Sequence, residues 1–516
     1  MSNVVDEMKA KRDRIRSEMG GLEKIERQHS RGRLTIRERI SEVLDDGSFF
    51  EFGTFAHSER REVADISPGD GKCSGLGTID GRPVSIAGDD VTVFHASSAF
   101  VGGKRTRKAY DLAIKNGHPF VYLGETGGAR LPDTLGADGF TKNHPAIETG
   151  QRGRRVPMIT AIVGDSFGHS SFEAAYSDVV IQTKGSCLAV SSPRVIEIAT
   201  GEIVSLEELG GVPVHLRKTG QIDIAADDEH HALALIRETL SYLPQNRWSK
   251  AAELPCPPIE PDPDIHALVP ANRNRAYDMH RIVRRLVDAG PNGPAFLELK
   301  PEFGRQLITG FARLGGKSVG ILASNPMFFA GALDPDCCDK ASRFIALCDS
   351  FNLPLVFLQD VPGFIVGKQP EHERLLNKAI MMMEALSLAE VPKITLVLRK
   401  AFGLAYYALA GNDMGGDFVF AWPNAEISFM DPAVGVNVVH ARKLRESADP
   451  DGERAALVEE WSKDTDPYTA AGIMTVDEVI DPADTRAVLI RVLAECDRPA
   501  PPQDYRKPLA SWPTCI

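Results

Sequence analysis

The chain has 516 residues, of which 43% are hydrophobic and 25% charged, a composition that excludes a wholly disordered protein and indicates large buried cores. Its formal net charge of -12 argues against nucleic acid as the main partner, because phosphate binding needs a broad basic surface. No segment approaches the roughly 20 apolar residues of a membrane span, and the charged N-terminus lacks the apolar core of a signal peptide. We therefore expect a cytoplasmic protein without stable membrane insertion.

The chain order of predicted elements indicates two domains. Residues 1 to about 45 are charged and amphipathic, and they predict helices that end at a turn at residues 45–47. Alternating strand and helix patterns follow. The proline-rich stretch 254–264 cannot form regular helix or central strand, so it predicts a linker. We expect an N-terminal domain in residues 1–253 and a C-terminal domain in residues 265–516.

An internal repeat relates the two sides of this linker. Matching segments recur at a constant offset of 235 residues, for example 119–123 with 354–358 and 156–160 with 391–395. One offset held over many segments indicates a tandem duplication.

The secondary-structure pattern within each half predicts a layered α/β domain. Short β-branched runs such as 159–163 and 394–398 predict buried strands. The stretches 341–350 and 375–388 repeat apolar residues at helical spacing and predict helices. Alternation of the two kinds of element is typical of an α/β fold.

A small-residue turn between a strand and a predicted helix occurs in each half, at residues 164–171 and 399–406. Small residues let the backbone approach a ligand closely, and the first N–H groups of a helix have no partner inside the helix. The two turns are therefore candidate oxyanion sites. A tightly packed turn without a ligand is the alternative.

Two further glycine-rich turns correspond by the same offset, at residues 125–130 and 360–364. Both follow apolar strands, so we expect them to flank the same pockets, with a plain strand-end turn as the alternative.

A basic cluster of Lys104, Arg105 and Arg107 follows Val101-Gly102-Gly103. It suits the phosphates of a nucleotide-bearing substrate but lacks the spacing of a P-loop. A solvated helix start is the alternative.

The sequence Gly164-x-Ser166-x-Gly168 also fits the nucleophile turn of serine hydrolases. The repeat partner of Ser166 is Ala401, so the architecture does not depend on a hydroxyl group at this position. A Ser166 nucleophile is an open alternative.

The eight cysteines show no C-x-x-C pair and no histidine at zinc-ligand spacing, which indicates reduced thiols. Glu229-His230-His231 could hold a metal, but a solvated helix start is the favoured interpretation. We expect no metal bound by this chain.

Stretches over nearly the whole chain form a specific combination: Gly32–Ile40, Gly127–Arg130, Thr200–Glu202, Glu207–Gly211, Tyr277–Met279, Asp360–Phe364, Arg399–Gly403 and Ala421–Glu426. The combination resembles the carboxyltransferase β-subunits of acyl-CoA carboxylases, of the propionyl-CoA carboxylase type. It is also similar to the α-subunits of biotin-dependent decarboxylases.

The resemblance implies an α/β fold, a tandem duplication of two crotonase/ClpP-like domains, assembled as a homohexamer with active sites between the N-half of one subunit and the C-half of another. It implies carboxyl transfer from carboxybiotin, bound on the C-half, to the α-carbon of an acyl-CoA, bound on the N-half. The sequence has no Met-Lys-Met biotin site and no ATP-binding signature. Carboxybiotin is therefore expected on a separate biotin carboxylase/biotin carrier subunit.

The resemblance also assigns roles to residues. Gly168-His169 would hold the thioester enolate, and Leu404-Ala405 would hold the ureido oxygen of biotin. The implied substrate-binding residues are Gly127, Gly128, Ala129, Arg130, Lys104, Arg105, Arg107 and Tyr407, and the implied biotin-side residues are Gly363, Phe364 and Gly403.

The sequence departs from the family at three of these positions. The family usually has glycine where this chain has His169 and Leu404, and propionyl-type enzymes have aspartate where it has Tyr407, a position tied to acyl selectivity. We expect the added side chains to narrow or re-polarise the pocket, so propionyl-CoA is not the expected main substrate. The alternatives are a biotin-dependent decarboxylase subunit, a biotin-free acyl-CoA hydrolase or decarboxylase that uses Ser166 and His169, and a non-catalytic scaffold.

Overall fold

The computed structural model of the protein describes residues 2–142, 153–291 and 293–513. Backbone contacts divide the chain into two compact units. Unit 1 contains Met1–Lys250, Pro501–Arg506 and Ala510–Ile516, and unit 2 contains Ala251–Ala500 and Lys507–Leu509.

Unit 1 is built on one mixed sheet with the strand order β1-β2-β3-β4-β5-β6-β8 and with β7 beside β5. The strands are β1 Phe50–Glu51, β2 Lys72–Ile79, β3 Arg82–Asp89, β4 Phe120–Thr126, β5 Met158–Phe167, β6 Val179–Thr183, β7 Leu188–Ala189 and β8 Ile224–Ala226. The pairs from β3 to β8 are parallel, so the carboxyl ends of β3, β4 and β5 share one edge of the sheet.

The helices of unit 1 surround this sheet. They are α1 Ser2–Glu18, α2 Leu22–His29, α3 Ile36–Val43, α4 Phe100–Asn116, α5 Leu131–Thr134, α6 Gly136–Lys142, α7 His169–Tyr176, α8 Pro193–Thr200, α9 Leu206–Gly210, α10 Val212–Val214 and α11 Glu229–Tyr242. Short turns of 3₁₀-helix occur at Arg61–Ile66, Pro68–Gly71 and Phe94–Ala96, and a π-helical turn occurs at His215–Thr219.

Unit 2 repeats the sheet with the order β11-β12-β13-β14-β15-β16-β18, with β17 beside β15, and adds the separate β9–β10 hairpin. The strands are β9 Ala289–Gly290, β10 Gly293–Pro294, β11 Phe296–Leu299, β12 Leu307–Leu314, β13 Lys317–Ser324, β14 Leu355–Val361, β15 Lys393–Phe402, β16 Phe418–Ala421, β17 Glu426–Ser428 and β18 Glu478–Val479. The helices are α12 His280–Leu286, α13 Pro335–Ser350, α14 Lys368–His372, α15 Leu375–Leu388, α16 Leu404–Ala408, α17 Pro432–Val439, α18 Ala441–Glu446, α19 Pro450–Ser462, α20 Pro467–Gly472 and α21 Thr485–Glu495. Short 3₁₀ turns occur at Ile265–Leu268, Phe329–Gly331 and Pro482–Asp484.

The duplication is visible strand by strand. Strands β2 to β5 correspond residue for residue to strands β12 to β15 at the offset seen in the sequence. The strands predicted at 159–163 and 394–398 lie within β5 and β15, and the helices predicted at 341–350 and 375–388 lie within α13 and α15. These four predictions are confirmed.

Apolar runs place the central strands inside each unit. Every residue of β4 and of β15 is buried, as expected for parallel strands that are covered on both faces. The core of unit 2 includes the fully buried Trp422, whose indole Nε1 donates to Oγ1 of Thr485 at 3.0 Å. A buried indole with its N–H satisfied fixes the ring in one orientation.

Helix α3 brings a buried cation to the edge of the unit 1 sheet. It begins after Thr35, whose side chain forms a capping box with Glu38. Arg39 on this helix pairs with Glu229, the first residue of α11, at 2.9 Å. The helix start predicted at Glu229 is confirmed, but Glu229 is buried rather than solvated because Arg39 holds its carboxylate.

Candidate functional site

The two predicted small-residue turns both connect a strand directly to a helix. Gly168 precedes α7 with φ 64°, and Gly403 precedes α16 with φ 62°. This left-handed backbone region favours glycine because other residues carry a Cβ that clashes there. The glycines therefore make the sharp entry into each helix possible.

The first free N–H group of each turn belongs to the residue after the glycine. Gly168 N–H donates to the carbonyl of Val190 at 3.1 Å, and Gly403 N–H donates to the carbonyl of Ser428 at 3.0 Å. In the described part of the chain, the N–H groups of His169 and Leu404 have no acceptor, as expected for first residues of helices. The expectation that Gly168 supplies a donor is corrected, because its amide is already engaged.

A second free N–H group in unit 1 comes from the turn after β4. A β-bridge holds this turn: Ser98 N–H donates to the Gly128 carbonyl at 2.7 Å, and Arg130 N–H donates to the Ser98 carbonyl at 2.9 Å. The N–H of Ala129, between these two bonds, has no acceptor among the described residues. A Cβ on Gly168 would lie 3.7 Å from Cα of Gly128, so the two turns of unit 1 adjoin.

Unit 2 repeats this arrangement. Leu333 N–H donates to the Gly363 carbonyl at 3.1 Å, and Ile365 N–H donates to the Leu333 carbonyl at 2.9 Å. Phe364, at the position equivalent to Ala129, has an N–H without an acceptor within the described ranges. Each unit therefore presents unpaired backbone donors on two separate turns, which is the kind of arrangement that stabilises an oxyanion.

A buried acid anchors the start of the second turn in each unit. Glu125 of unit 1 pairs with Arg33 at 2.9 Å and with Arg39 at 2.7 Å. Its repeat partner Asp360 pairs with Arg399 at 2.9 Å in unit 2. The ion pairs fix the strand ends from which the turns depart.

The basic cluster expected to bind phosphate is not a ligand site as a whole. Arg105 is only 4% exposed, and its guanidinium donates to backbone carbonyls, including that of Phe52 at 2.8 Å. Arg107 pairs with Asp111 at 2.8 Å, while Lys104 is exposed and lies over the ring of Phe100. The structure does not support the ligand role expected for Arg105, because the side chain is buried and both terminal nitrogens of its guanidinium donate to backbone carbonyls.

Arg130 is also committed to the fold. Its guanidinium pairs with Asp70 at 2.6 Å, donates to the Ser97 carbonyl at 3.1 Å and stacks on Phe94. It therefore holds the turn that contains Ala129 rather than contacting substrate.

Ser166 does not have the geometry of a nucleophile. It lies within β5, its side chain is fully buried, and its hydroxyl donates to the Gly164 carbonyl at 3.4 Å. No histidine in the described part of the chain accepts a hydrogen bond from this hydroxyl. The structure gives no support to the Ser166 alternative.

The ring of His169 is turned towards the interior of unit 1. It contacts Tyr122 edge to face, with ring centroids 6.4 Å apart, and its Nε2 lies 3.7 Å from Oε1 of Glu173. Burial and, to a smaller extent, the Lys72 ammonium group together lower the pKa of His169 from 6.5 to about 4. The imidazole is therefore uncharged at neutral pH.

We expect His169 to make stability pH-dependent. The unfolded chain takes up a proton here below pH 6.5, whereas the folded chain does so only near pH 4. The contribution is thus complete above the unfolded pKa and is lost as the pH falls from about 6.5 to about 4, amounting to roughly 2 kcal/mol for a partly exposed ring. Urea unfolding of His169→Gln should show a flatter free energy of unfolding over this range.

The exposed His266 provides the control for this measurement. His266→Gln should keep the pH dependence of the parent protein. An equal slope in the parent and in His169→Gln would contradict the assignment.

A cavity of about 220 Å³ opens beside these turns at the carboxyl ends of β3, β4 and β5. Its walls come from α2 and the turn after it, from the ends of the three strands, and from Gly127 and Phe167. Lys24, Arg27 and Arg31 line it, and the sequence interpretation missed all three. The signal for Lys24 and Arg27 was their spacing of three residues on α2, which places both on one face of the helix, whereas Arg31 lies in the turn after the helix.

Three further properties of the described residues concern membrane-spanning helices, metal ligands and disulfides. No helix there is long and apolar enough to cross a membrane. Within the same residues, no group of three or more histidine, cysteine, aspartate or glutamate side chains could hold a metal ion. Cys515 lies outside the described residues, and the remaining cysteines are free thiols.

The two units define a class of protein: a duplicated α/β protein whose halves each offer backbone donors to an oxyanion. The carboxyl transferase domain family matches residues 27–500. The chain is 38% identical over 480 residues to the methylmalonyl-CoA carboxyltransferase 12S subunit of Propionibacterium freudenreichii subsp. shermanii, covering 92% of this chain and 90% of that protein. It is 38% identical over 508 residues to the propionyl-CoA carboxylase carboxyltransferase subunit of Haloferax mediterranei, covering 95% of each.

Two further relatives bear on fold and reaction. The crystal structure of transcarboxylase 12S, a hexamer assembly with methylmalonyl-CoA and methylmalonic acid bound, superimposes with a TM-score of 0.89 at 36% identity and 98% coverage of both chains. The methylmalonyl-CoA decarboxylase subunit alpha of Propionigenium modestum is 36% identical over 487 residues, covering 91% of this chain and 92% of that one.

The chain belongs to the carboxyl transferase domain family. Its two units have crotonase-like folds, and it is an enzyme of carboxyl transfer between biotin and an acyl-CoA.

Proposed function

We propose that acyl-CoA binds at the turns of unit 1 and biotin at the turns of unit 2, with the acyl-CoA side in residues 1–253 and the biotin side in residues 265–516. The observation that carries the proposal is the repeated set of unpaired N–H groups, Ala129 with His169 and Phe364 with Leu404. One transfer reaction between two carbonyl-containing partners needs two such sites.

On the acyl-CoA side, the N–H groups of His169 and Ala129 donate to the thioester oxygen. Negative charge grows on this oxygen as the α-carbon becomes a nucleophile, and fixed donors stabilise it without reorganisation. Gly127 and Gly128 have no side chains, so the thioester can approach the backbone of this turn closely.

On the biotin side, the residues fit a ureido ring. Phe364 and Leu404 offer unpaired N–H groups, Ala405 offers the next N–H of the same helix, and a Cβ on Gly363 would meet no atom within 4 Å. When bound, biotin supplies the carboxyl group that is transferred. These N–H groups orient its ureido oxygen and favour charge on it.

The acyl preference is assigned to the exposed face of α16. Leu404 and Tyr407 lie three residues apart on this helix and are 45% and 43% exposed. We assign Tyr407 to acyl selectivity. Because the His169 ring points inward, it narrows the pocket less than its size suggests.

The partners follow from the chemistry. A separate biotin carrier subunit delivers the carboxyl group, and the chain forms a homohexamer, as transcarboxylase 12S does. Free thiols fit a cytoplasmic location. A streptavidin blot of the gently purified protein should show a biotinylated partner.

Carboxylation of the acyl-CoA is the proposed direction. Decarboxylation is the second candidate, favoured by the similarity to the decarboxylase subunit of Propionigenium modestum. Because an enzyme catalyses both directions, the partner subunits distinguish the two: a co-purifying subunit that carboxylates biotin with ATP indicates carboxylation, and a biotinylated partner without such an activity indicates decarboxylation.

The protein should move labelled carboxyl groups between acyl-CoA and free biotin. Ser166→Ala should leave this rate unchanged, because the repeat already has alanine at the equivalent Ala401. Thioester hydrolysis without biotin that Ser166→Ala abolishes would contradict the proposal and support a hydrolase.

A further inference from the structure

The cavity beside the unit 1 turns has an uncompensated positive charge. Lys24, Arg27 and Arg31 line it, and within the described ranges none of the three has an acidic partner. Lys24 and Arg27 lie three residues apart on α2 and Arg31 lies in the turn after it, so the three cations repel one another until an anion binds. Among the residues that the structure describes, no carboxylate forms an ion pair with any of them.

The other charges of the cavity are already balanced. Arg33 pairs with Glu125 at 2.9 Å, and Glu125 also pairs with Arg39 at 2.7 Å, which in turn pairs with Glu229. These two acids and two arginines neutralise one another. The charge that a ligand meets therefore comes from Lys24, Arg27 and Arg31 and from the carboxylate of Asp165, so the cations remain in excess.

The floor of the cavity offers one unused acceptor. Oδ1 of Asp165 is covered from solvent and has no hydrogen-bond donor among the described residues. Such an atom is unfavourable unless a ligand donates to it. The cavity thus selects a ligand with several negative charges at one end and N–H or O–H groups further along.

We propose that Lys24, Arg27 and Arg31 bind the phosphate groups of the CoA moiety and that Asp165 accepts a hydrogen bond from its pantetheine arm. This inference rests on the proposed acyl-CoA side of unit 1. Coenzyme A carries three phosphates, and its pantetheine arm carries amide N–H and hydroxyl groups. Gly127 and Phe167, which line the cavity, directly precede Gly128 and Gly168 of the adjoining turns, so the arm leads from the cations to the thioester site.

The test compares two thioesters with the same acyl group. Lys24→Gln, Arg27→Gln and Arg31→Gln should each raise KM for the acyl-CoA by roughly 3- to 10-fold, as expected for partly exposed charge-assisted contacts. The same variants should leave kcat, and KM for the acyl-pantetheine, unchanged because pantetheine has no phosphate-adenosine end. Asp165→Ala should raise KM for both thioesters.

Matched controls remove the same charges elsewhere in unit 1. Arg14 and Lys115 are exposed residues outside the cavity. Arg14→Gln and Lys115→Gln should leave both KM values unchanged. If KM for acyl-CoA rises equally in these controls, the effect comes from the overall charge of the protein, and the proposed site is overturned.

A binding measurement separates this inference from the proposed function. Calorimetry with CoA needs no turnover, so a protein that transfers no carboxyl group but binds CoA, more weakly in Arg27→Gln, would contradict the function and support the site. Turnover of acyl-CoA with unchanged KM in all three cation variants would support the proposed function and contradict the phosphate site. Inorganic phosphate is the competing probe, and tight binding of phosphate without binding of CoA would overturn the proposal.

Discussion

Replacing Leu404 with proline is expected to lower kcat for carboxyl transfer by about 10²- to 10³-fold. The substitution deletes the free N–H that we assign to the ureido oxygen of biotin. Proline is tolerated at the first position of a helix, because the missing N–H has no partner inside the helix and the fixed φ suits it. The Leu404 side chain is exposed, so little packing is lost. The measurement is carboxyl exchange between acyl-CoA and biotin under saturating substrates.

Leu404→Ala is the matched control, since it removes the side chain beyond Cβ and keeps the N–H. It should retain most of kcat, and both variants should unfold at nearly the same urea concentration. Equal activity losses in the two variants would assign the effect to the side chain and exclude the backbone donor. A lower unfolding midpoint in Leu404→Pro alone would instead show that the turn had been deformed.

The repeat made much of the fold predictable from the sequence. The central strands of both units begin and end at corresponding residues, because apolar runs buried on both faces leave a strong local pattern. The correspondence weakens beyond β5: β6 at Val179–Thr183 and β16 at Phe418–Ala421 are not related by the same offset. The loops before these strands differ between the two halves, and sequence offset alone does not locate them.

The choice of free donors could not be predicted, because it depends on distant partners. The sequence shows glycine at positions 168 and 403, but the carbonyls that occupy their N–H groups belong to Val190 and Ser428. Chain crossovers bring these carbonyls to the turns. A motif therefore locates an oxyanion turn to within one residue, and only the backbone hydrogen bonds decide which N–H is free.

A similar cause explains why the structure does not support the ligand role expected for Arg105. Charge is visible in a sequence, whereas burial is not. The repeat held a usable signal, because Arg105 corresponds to Lys340, which is fully buried and donates to three backbone carbonyls at 2.6–3.0 Å. A cation that recurs at the same position of both repeats and is buried in each has a structural role rather than a ligand contact.

The largest stability effect is expected at the acid that anchors the biotin-side turn. Asp360 is fully buried and its carboxylate accepts from Nε of Arg399 at 2.9 Å, with Nζ of Lys400 at 3.6 Å. Asp360→Ala leaves these buried cations without their counter-charge, which should lower the free energy of unfolding by about 3–5 kcal/mol. Urea unfolding monitored by circular dichroism measures the change.

The exposed pair Arg442–Glu446 provides the comparison, since its side chains are 86% and 65% exposed. Glu446→Ala should change the free energy of unfolding by less than about 0.5 kcal/mol, because water and salt screen this pair. Asp360→Asn separates charge from shape: it keeps the volume and one acceptor, so a loss close to that of Asp360→Ala assigns the effect to the carboxylate charge. A loss below about 1 kcal/mol in both Asp360 variants would contradict the anchoring role. The turn that carries Phe364 would then be held by its β-bridge to Leu333 alone.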